Sequence, residues 1–258
     1  MYTIFKTMLR GIVRDTHTLF WTILFPIAML CGLGLYLNQP GYSERLLSGV
    51  LTMNVLFGST MVTAFNVMAH RNRGVYKLLR ATPFSIAAFI TATTGARTAL
   101  TLVVSACILI TGTLLFGIGL GAENLLGILL VLLIGSVCFT AVGFLAANLS
   151  RDESNVNMIS NLISFPMLFT SEAFYSLQHA PEWVRVFGQL QPFHYFVRAM
   201  NTAVTSPGVF SMDLWTALAA LAGFAVLFLA VAIFTFRWDS ERTARRGLTS
   251  KAKRHSIM

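Results

Sequence analysis

Residues 125–149 read LLGILLVLLIGSVCFTAVGFLAANL, without one charged side chain. A bilayer core needs about 20 consecutive apolar residues as a helix, and this run supplies them. Its apolar character is continuous rather than alternating, which predicts a helix and not a barrel strand. Working outward, five further runs have the same quality: Leu19–Leu37, Leu46–Ala69, Thr98–Leu120 with an apolar lead-in from Phe84, Val156–Ala173 and Leu214–Phe236. The whole chain agrees. Of its 258 residues, 55% are hydrophobic and 11% charged, and the mean hydropathy is +0.70. A soluble domain carries about 25% charged residues. Composition therefore excludes a water-soluble globule, and the richness in Leu, Ile, Val and Phe excludes disorder. The expected fold is an all-α membrane protein of six transmembrane helices over 19–236.

The charges orient those spans. There are 19 Lys and Arg against 10 Asp and Glu, a net +9. In a soluble protein this would suggest nucleic acid; here it marks cytoplasmic connectors. Lys6, Arg10 and Arg14 precede the first span, and Arg71, Arg73, Lys77 and Arg80 lie between the second and third. Arg151 follows the fourth, and Arg237, Arg242, Arg245, Arg246, Lys251, Lys253 and Arg254 follow the sixth. The opposite connectors hold only Arg45, Arg185 and Arg198. Both termini are thus expected in the cytoplasm, in a multi-pass protein of a cell membrane, with 237–258 as a basic tail and no nucleic-acid partner. Arg97, at the start of the third run, is expected to snorkel to the cytoplasmic interface. Ile4, Phe5, Met8, Leu9 and Ile12 oppose Lys6, Arg10 and Arg14 at helical spacing. That pattern predicts an amphipathic helix lying in the interface, the interfacial segment running over 1–18. No small-x-small cleavage site follows the first apolar run, so it is expected to be retained. Cys31, Cys107 and Cys138 are scattered through apolar runs and offer neither a disulfide framework nor metal-ligand spacing.

The connector HRNRGVYKLLRATPFS, residues 70–85, carries the most information. Val75, Leu78 and Leu79 fall on one helical face, with Arg73, Lys77 and Arg80 at steps of four and three, and Pro83 ends the helix. A short basic helix of this kind either inserts as a knob into a partner's groove or anchors its loop on the inner leaflet. Both readings fit the residues alone.

RNRGVYKLLRATPFS resembles the Gly-x-x-x-x-Leu-x-Ala-Thr-Pro connector of the membrane subunits of ABC-2 type exporters. FPMLFTSEAFYSL at 165–177, APEWV at 180–184 and LQPFHYFV at 190–197 are similar to that family's proline in span five, small–aromatic exit, Pro-x-Trp turn and Pro-x-x-Tyr segment. Phe20-Trp21 and Leu24-Phe25-Pro26 resemble its first span. The resemblance covers nearly the whole chain as one transmembrane domain over 1–258. It implies a half-transporter pairing with a second copy of itself or a related permease. It also implies a cytosolic ATP-binding cassette subunit docking on the N-terminal helix and on Arg71, Asn72, Arg73, Gly74, Val75, Tyr76, Lys77, Leu78, Leu79 and Arg80. Where the family often carries an acid before the glycine, this chain has Asn72-Arg73, which implies an acidic rim on the partner. The chain has no Gly-x-x-x-x-Gly-Lys-Ser/Thr sequence, so ATP and Mg²⁺ are expected on the partner and no cofactor on this chain.

The remaining candidates interrupt the spans. Thr52, Ser59, Thr63 and Asn66 share one face of the second, and Asn157, Asn161 and Ser164 one face of the fifth, with Glu172 beyond them. Such residues either line a path or fasten helices to each other. Pro166 in the fifth span is a candidate hinge. The aromatic stretch 174–211 is broken by Pro181, Pro192 and Pro207 and is expected as two short re-entrant helices at the outer leaflet. No catalytic or metal site is expected. His17, His70, His179, His194 and His255 sit in connectors, tails or span edges, and neither His-Glu-x-x-His nor Gly-x-Ser-x-Gly occurs. The expected cargo of a bacterial exporter of this kind is amphipathic: a drug, antibiotic, lipid or peptide. Export of a glycan or lipid-linked polysaccharide is the alternative, and a non-transporting scaffold is the reading from another class.

Overall fold

A computed structural model of the chain describes residues 16–37, 41–75, 86–174, 180–205 and 211–235. The expected N-terminal helix, Tyr76–Arg80 of the connector and the basic tail lie outside them. The described residues form eight helices: α1 Thr16–Leu37, α2 Tyr42–Asn72, α3 Ile86–Phe116, α4 Ala122–Leu149, α5 Glu153–Phe169, α6 Glu182–Gln189, α7 Pro192–Thr205 and α8 Met212–Thr235.

Four of these are long and apolar enough to cross a membrane: α2, Phe89–Phe116 within α3, α4 and α8. Within α1 the apolar helix Thr22–Tyr36 is shorter, and α5 has 17 residues. The α2–α4 pair is the spine. Of the most apolar window, 67% is buried in α2 and 61% in α4, against 28% in α3 and in α8. Helix α2 touches α1, α3, α4, α5 and α7, while α4 touches α2, α3, α5, α7 and α8. The peripheral helices show Leu114, Val226 and Phe234 outward, as side chains bathed in lipid must be.

A glycine lets the spine close. A Cβ on Gly143 of α4 would stand 2.5 Å from the Thr60 carbonyl oxygen and 2.9 Å from the Thr63 Cβ of α2. With only a hydrogen there, Thr60 Oγ1 reaches across to donate to the Phe139 carbonyl at 3.2 Å. Small residues that let backbones meet are the usual basis of helix association in lipid, where apolar burial gives no drive.

Three expectations need correction. Helix α3 begins at Ile86 and stops at Phe116, earlier at both ends than the run Thr98–Leu120. Gly117, at φ 63, takes a left-handed turn that ends it. Arg97 is consequently inside the helix and 3% exposed, not an interface anchor. Helix α5 stops at Phe169, four residues before the expected Ala173. Of the two short helices between α5 and α8, only α6 is peripheral, with Trp183 70% exposed. Helix α7 is core: Phe193, Phe196, Val197 and Met200 are buried against α2, α4 and α8. Phe139 of α4 meets Phe193 edge-on at 5.8 Å and Phe196 at a tilt at 5.4 Å between ring centroids. The alternation of aromatic and small residues in PFHYFVRAMNTAV serves packing against these helices.

Candidate functional site

The sequence expectations converge on one end of the bundle, where α2 runs out into the basic connector. Gly74, at φ 70, ends α2; its N–H donates to the Arg71 carbonyl at 3.1 Å, and the Arg73 N–H to Ala69 at 3.0 Å. A left-handed glycine just past a helix is the cheapest way to turn the chain there. Val75, the last described residue of the connector, is helical.

Arg71 does not follow the turn outward. It is buried and folds back onto the end of α4. Its guanidinium donates to the Ala147 carbonyl at 3.2 Å, to the Ser150 carbonyl at 3.5 Å and to Asn148 Oδ1 at 3.4 Å. The last carbonyls of a helix are its unsatisfied, negatively polarised end, so a cation suits them. Asn148 passes the link on, donating to the Ala232 carbonyl at 3.5 Å and to Thr235 Oγ1 at 3.3 Å on α8. Beside it Asn72 Nδ2 donates to Glu153 Oε1 at 3.1 Å in the first turn of α5. That turn is capped by Asp152, whose Oδ1 accepts from the Asn155 N–H at 2.8 Å. The exit of α2 is thus tied to α4, α5 and α8 at once. Arg73 is exposed, and Gly74 and Val75 are half-buried.

The span residues singled out from sequence divide. On α2, Thr52, Ser59 and Thr63 are fully buried and Asn66 partly so. Thr52 Oγ1 donates to the Ser48 and Gly49 carbonyls at 2.9 and 3.0 Å. On α5, Ser164 is buried, but Asn157 is exposed and bonds Asn161 at 2.9 Å along the helix. Helices α2 and α5 pack together, but no side-chain hydrogen bond joins the two stripes among the described residues. At the far end of α5 the helix continues through Pro166. Gln191 Nε2 ties the start of α7 to the Met167 carbonyl at 3.2 Å and to Thr170 Oγ1 at 2.6 Å. Glu172 lies in the turn that follows and acts electrostatically on His194.

A model of the ABC-2 type transporter family matches residues 1–204. The chain belongs to the ABC-2 type transporter family. It is the membrane component of a transporter. No curated protein matches the chain. The ABC-2 match takes in α1 to α6 and nearly all of α7, so both the Arg71 end and the Pro166 end fall inside it.

Sequence reasoning missed two parts of this ABC-2 membrane component. One is Asn148, hidden at the end of the most apolar run. The other is a third polar stripe, on α3, in which Thr94, Arg97, Thr98, Thr101 and Ser105 are all buried. It faces α2 and α4: Arg97 Nη2 donates to the Gly58 carbonyl of α2, and Ser136 of α4 donates to Thr98 Oγ1 at 3.3 Å. Its spacing of three and four was readable, but starting the span at Thr98 cut it in two.

Proposed function

We propose that the chain is the permease half of an ATP-driven exporter, moving an amphipathic drug, antibiotic, lipid or peptide out of the cell. In this reading α1 and α5 complete six spans with α2, α3, α4 and α8, in a single transmembrane domain over 1–258. The Arg71 end and both termini lie in the cytoplasm of a bacterial cell. A second copy, or a related permease, completes the path. A separate cytosolic ATPase subunit holds ATP and Mg²⁺ and docks an acidic rim on Arg73, Lys77 and Arg80 of the connector. The stripes Thr52–Asn66 and Asn157–Ser164, with Glu172, border the path, and Pro166 is the hinge between it and the outer helices.

The observation that carries this reading is the fourfold tie at the exit of α2. A push on the connector enters the protein at Asn72 and Arg71. Their hydrogen bonds run to the end of α4 and the first turn of α5, and Asn148 carries the link on to α8, so the load reaches four helices rather than a loose loop. Interactions of charged donors with helix-end carbonyls are worth about 1.5–3 kcal/mol each, enough to move helix ends as a unit.

The test is charge reversal on the connector. Arg73→Glu, Lys77→Glu and Arg80→Glu combined should leave insertion and folding intact. Export by the reconstituted complex should fall at least tenfold, and the ATPase should lose its response to cargo. Unchanged export with an unchanged ATPase response would refute the docking, and a wild-type complex that moves no amphiphile would refute the exporter reading.

A further inference from the structure

Arg97 presents a problem that the packing of the bundle does not solve. It stands eleven residues into α3, about 16 Å along it. Its guanidinium donates to the carbonyl of Gly58, which lies sixteen residues from the start of α2 and fourteen from its end. The charge therefore sits at the mid-length of a membrane-crossing helix. It is 3% exposed, and no carboxylate among the described residues pairs with it. A backbone carbonyl answers one N–H. The Nε–H, buried, has no partner.

The side chains at the same level repeat the pattern. Ser59 follows Gly58, Thr63 is one turn further on α2, and Thr94 is one turn below Arg97 on α3. Thr140 is one turn from Ser136, which is bonded to Thr98. Each of these hydroxyls is buried without a hydrogen-bond partner. Gly143 of α4 meets Ser59, Thr60 and Thr63 of α2, while Arg97 joins α3 to α2 and Thr98 joins it to α4, so the three helices are in contact here. A guanidinium and hydroxyls are all able to donate, and the local carbonyls of Gly58 and Phe139 are already taken. An acceptor-rich, negative group satisfies such a set at once. Charged residues within membrane spans persist where a pathway or ligand uses them.

We propose that Arg97, with Ser59, Thr63, Thr94 and Thr140, is a binding site for the acidic group, carboxylate or phosphate, of the transported amphiphile. This deepens the exporter reading and rests on it for the word transported; binding itself does not. The chain's apolar, lipid-facing exterior receives the hydrocarbon part, and Arg97 selects the head. The Gly58 carbonyl holds the guanidinium while the site is empty and releases it when an anion enters.

The test uses the full chain in nanodiscs of zwitterionic lipid. Probes of equal chain length carry different heads: myristate, lysophosphatidic acid, monomyristoyl glycerol and myristyl trimethylammonium, with inorganic phosphate to separate a lipid head from the free ion. Binding is read by native mass spectrometry and by thermal shift. The expected result is binding of myristate and lysophosphatidic acid at least tenfold tighter than of the neutral and cationic probes. Arg97→Gln, which keeps a donor for Gly58 but loses the charge, should abolish that preference and leave neutral binding unchanged. Arg97→Lys should retain part of it. If Arg97→Gln does not accumulate, Ser59→Ala with Thr63→Val should weaken acidic binding selectively. Equal binding of all heads, binding of inorganic phosphate alone, or an acid preference indifferent to these variants would overturn the proposal. Acid-selective binding without ATP-driven movement of the same probe would leave the site standing and refute the exporter reading instead.

Discussion

Substituting Gly143 by alanine adds one methyl group at the closest point of the α2–α4 spine. The new Cβ would stand 2.5 Å from the Thr60 carbonyl oxygen, whereas ordinary contact begins at 3.4 Å. The deficit is 0.9 Å, and both sides of the clash are helical backbone, which no rotamer change can relieve. Helix α4 must therefore move away from α2 by nearly that much. The Thr60–Phe139 hydrogen bond, now 3.2 Å, would stretch to about 4 Å and be lost. Overpacking costs roughly 1–3 kcal/mol and the lost bond about 1 kcal/mol. Better helix propensity returns up to about 1 kcal/mol. The net is a destabilisation of about 2 kcal/mol, or a melting temperature lower by about 4–8 °C for a chain of this size. The control is Gly223→Ala on α8, where a Cβ meets nothing within 4 Å; it should melt at or slightly above the wild-type temperature. Thermal unfolding in detergent, followed by intrinsic fluorescence, separates the two. Equal melting temperatures for the two variants would refute the close contact at Gly143.

Other outcomes follow from the same contacts. Arg71→Met leaves the Ala147 and Ser150 carbonyls and the Asn148 side chain without their donor. It should cost about 3 kcal/mol and speed hydrogen exchange around residues 146–153, an effect that Asn148→Ala should share only in part. Asp152→Ala removes the cap of α5 and should cost about 1 kcal/mol in thermal unfolding, with little further effect when Asn155 is also replaced. Burial holds the His194 imidazole below its ordinary value of 6.5, with Glu172 pulling it up and Arg198 adding to the lowering. The unfolded chain then binds the proton more readily than the folded one. Stability is accordingly complete above pH 6.5 and falls as pH drops through the lowered value. His194→Gln should flatten that part of the curve, and an unchanged slope would show that His194 is not its source.

Much of the fold was legible because lipid imposes a one-dimensional rule. Length and continuous apolarity suffice to place a spanning helix, and α2, α4 and α8 lie within a few residues of the runs that announced them. The glycine of the basic connector was legible only as a family position: the expected connector helix began at Arg73 and ran through it, whereas Arg73 closes α2 and Gly74, at φ 70, breaks the helix there. The other misreadings share a cause. The start of α3, hidden behind the polar residues Thr93, Thr94, Arg97 and Thr98, looks like a connector in a hydropathy scan. It becomes helix because α2 and α4 cover those side chains. The aromatic segment after α6 looks interfacial for the same reason: sequence shows that Phe193 and Phe196 are apolar, not which neighbour will enclose them.

From the residues in order came the class of protein, its apolar rods, the basic connector and the family resemblance, because each depends on composition and on neighbours along the chain. Which way a side chain faces was decided only when the helices assembled. Arg71 and Arg97 are both arginines near polar residues and read alike as surface charges. The tertiary structure buries both, one on the end of α4 and one at the middle of α2. The helix period states which residues share a face, but only packing between α2, α3 and α4 determines whether that face meets lipid, water or another helix.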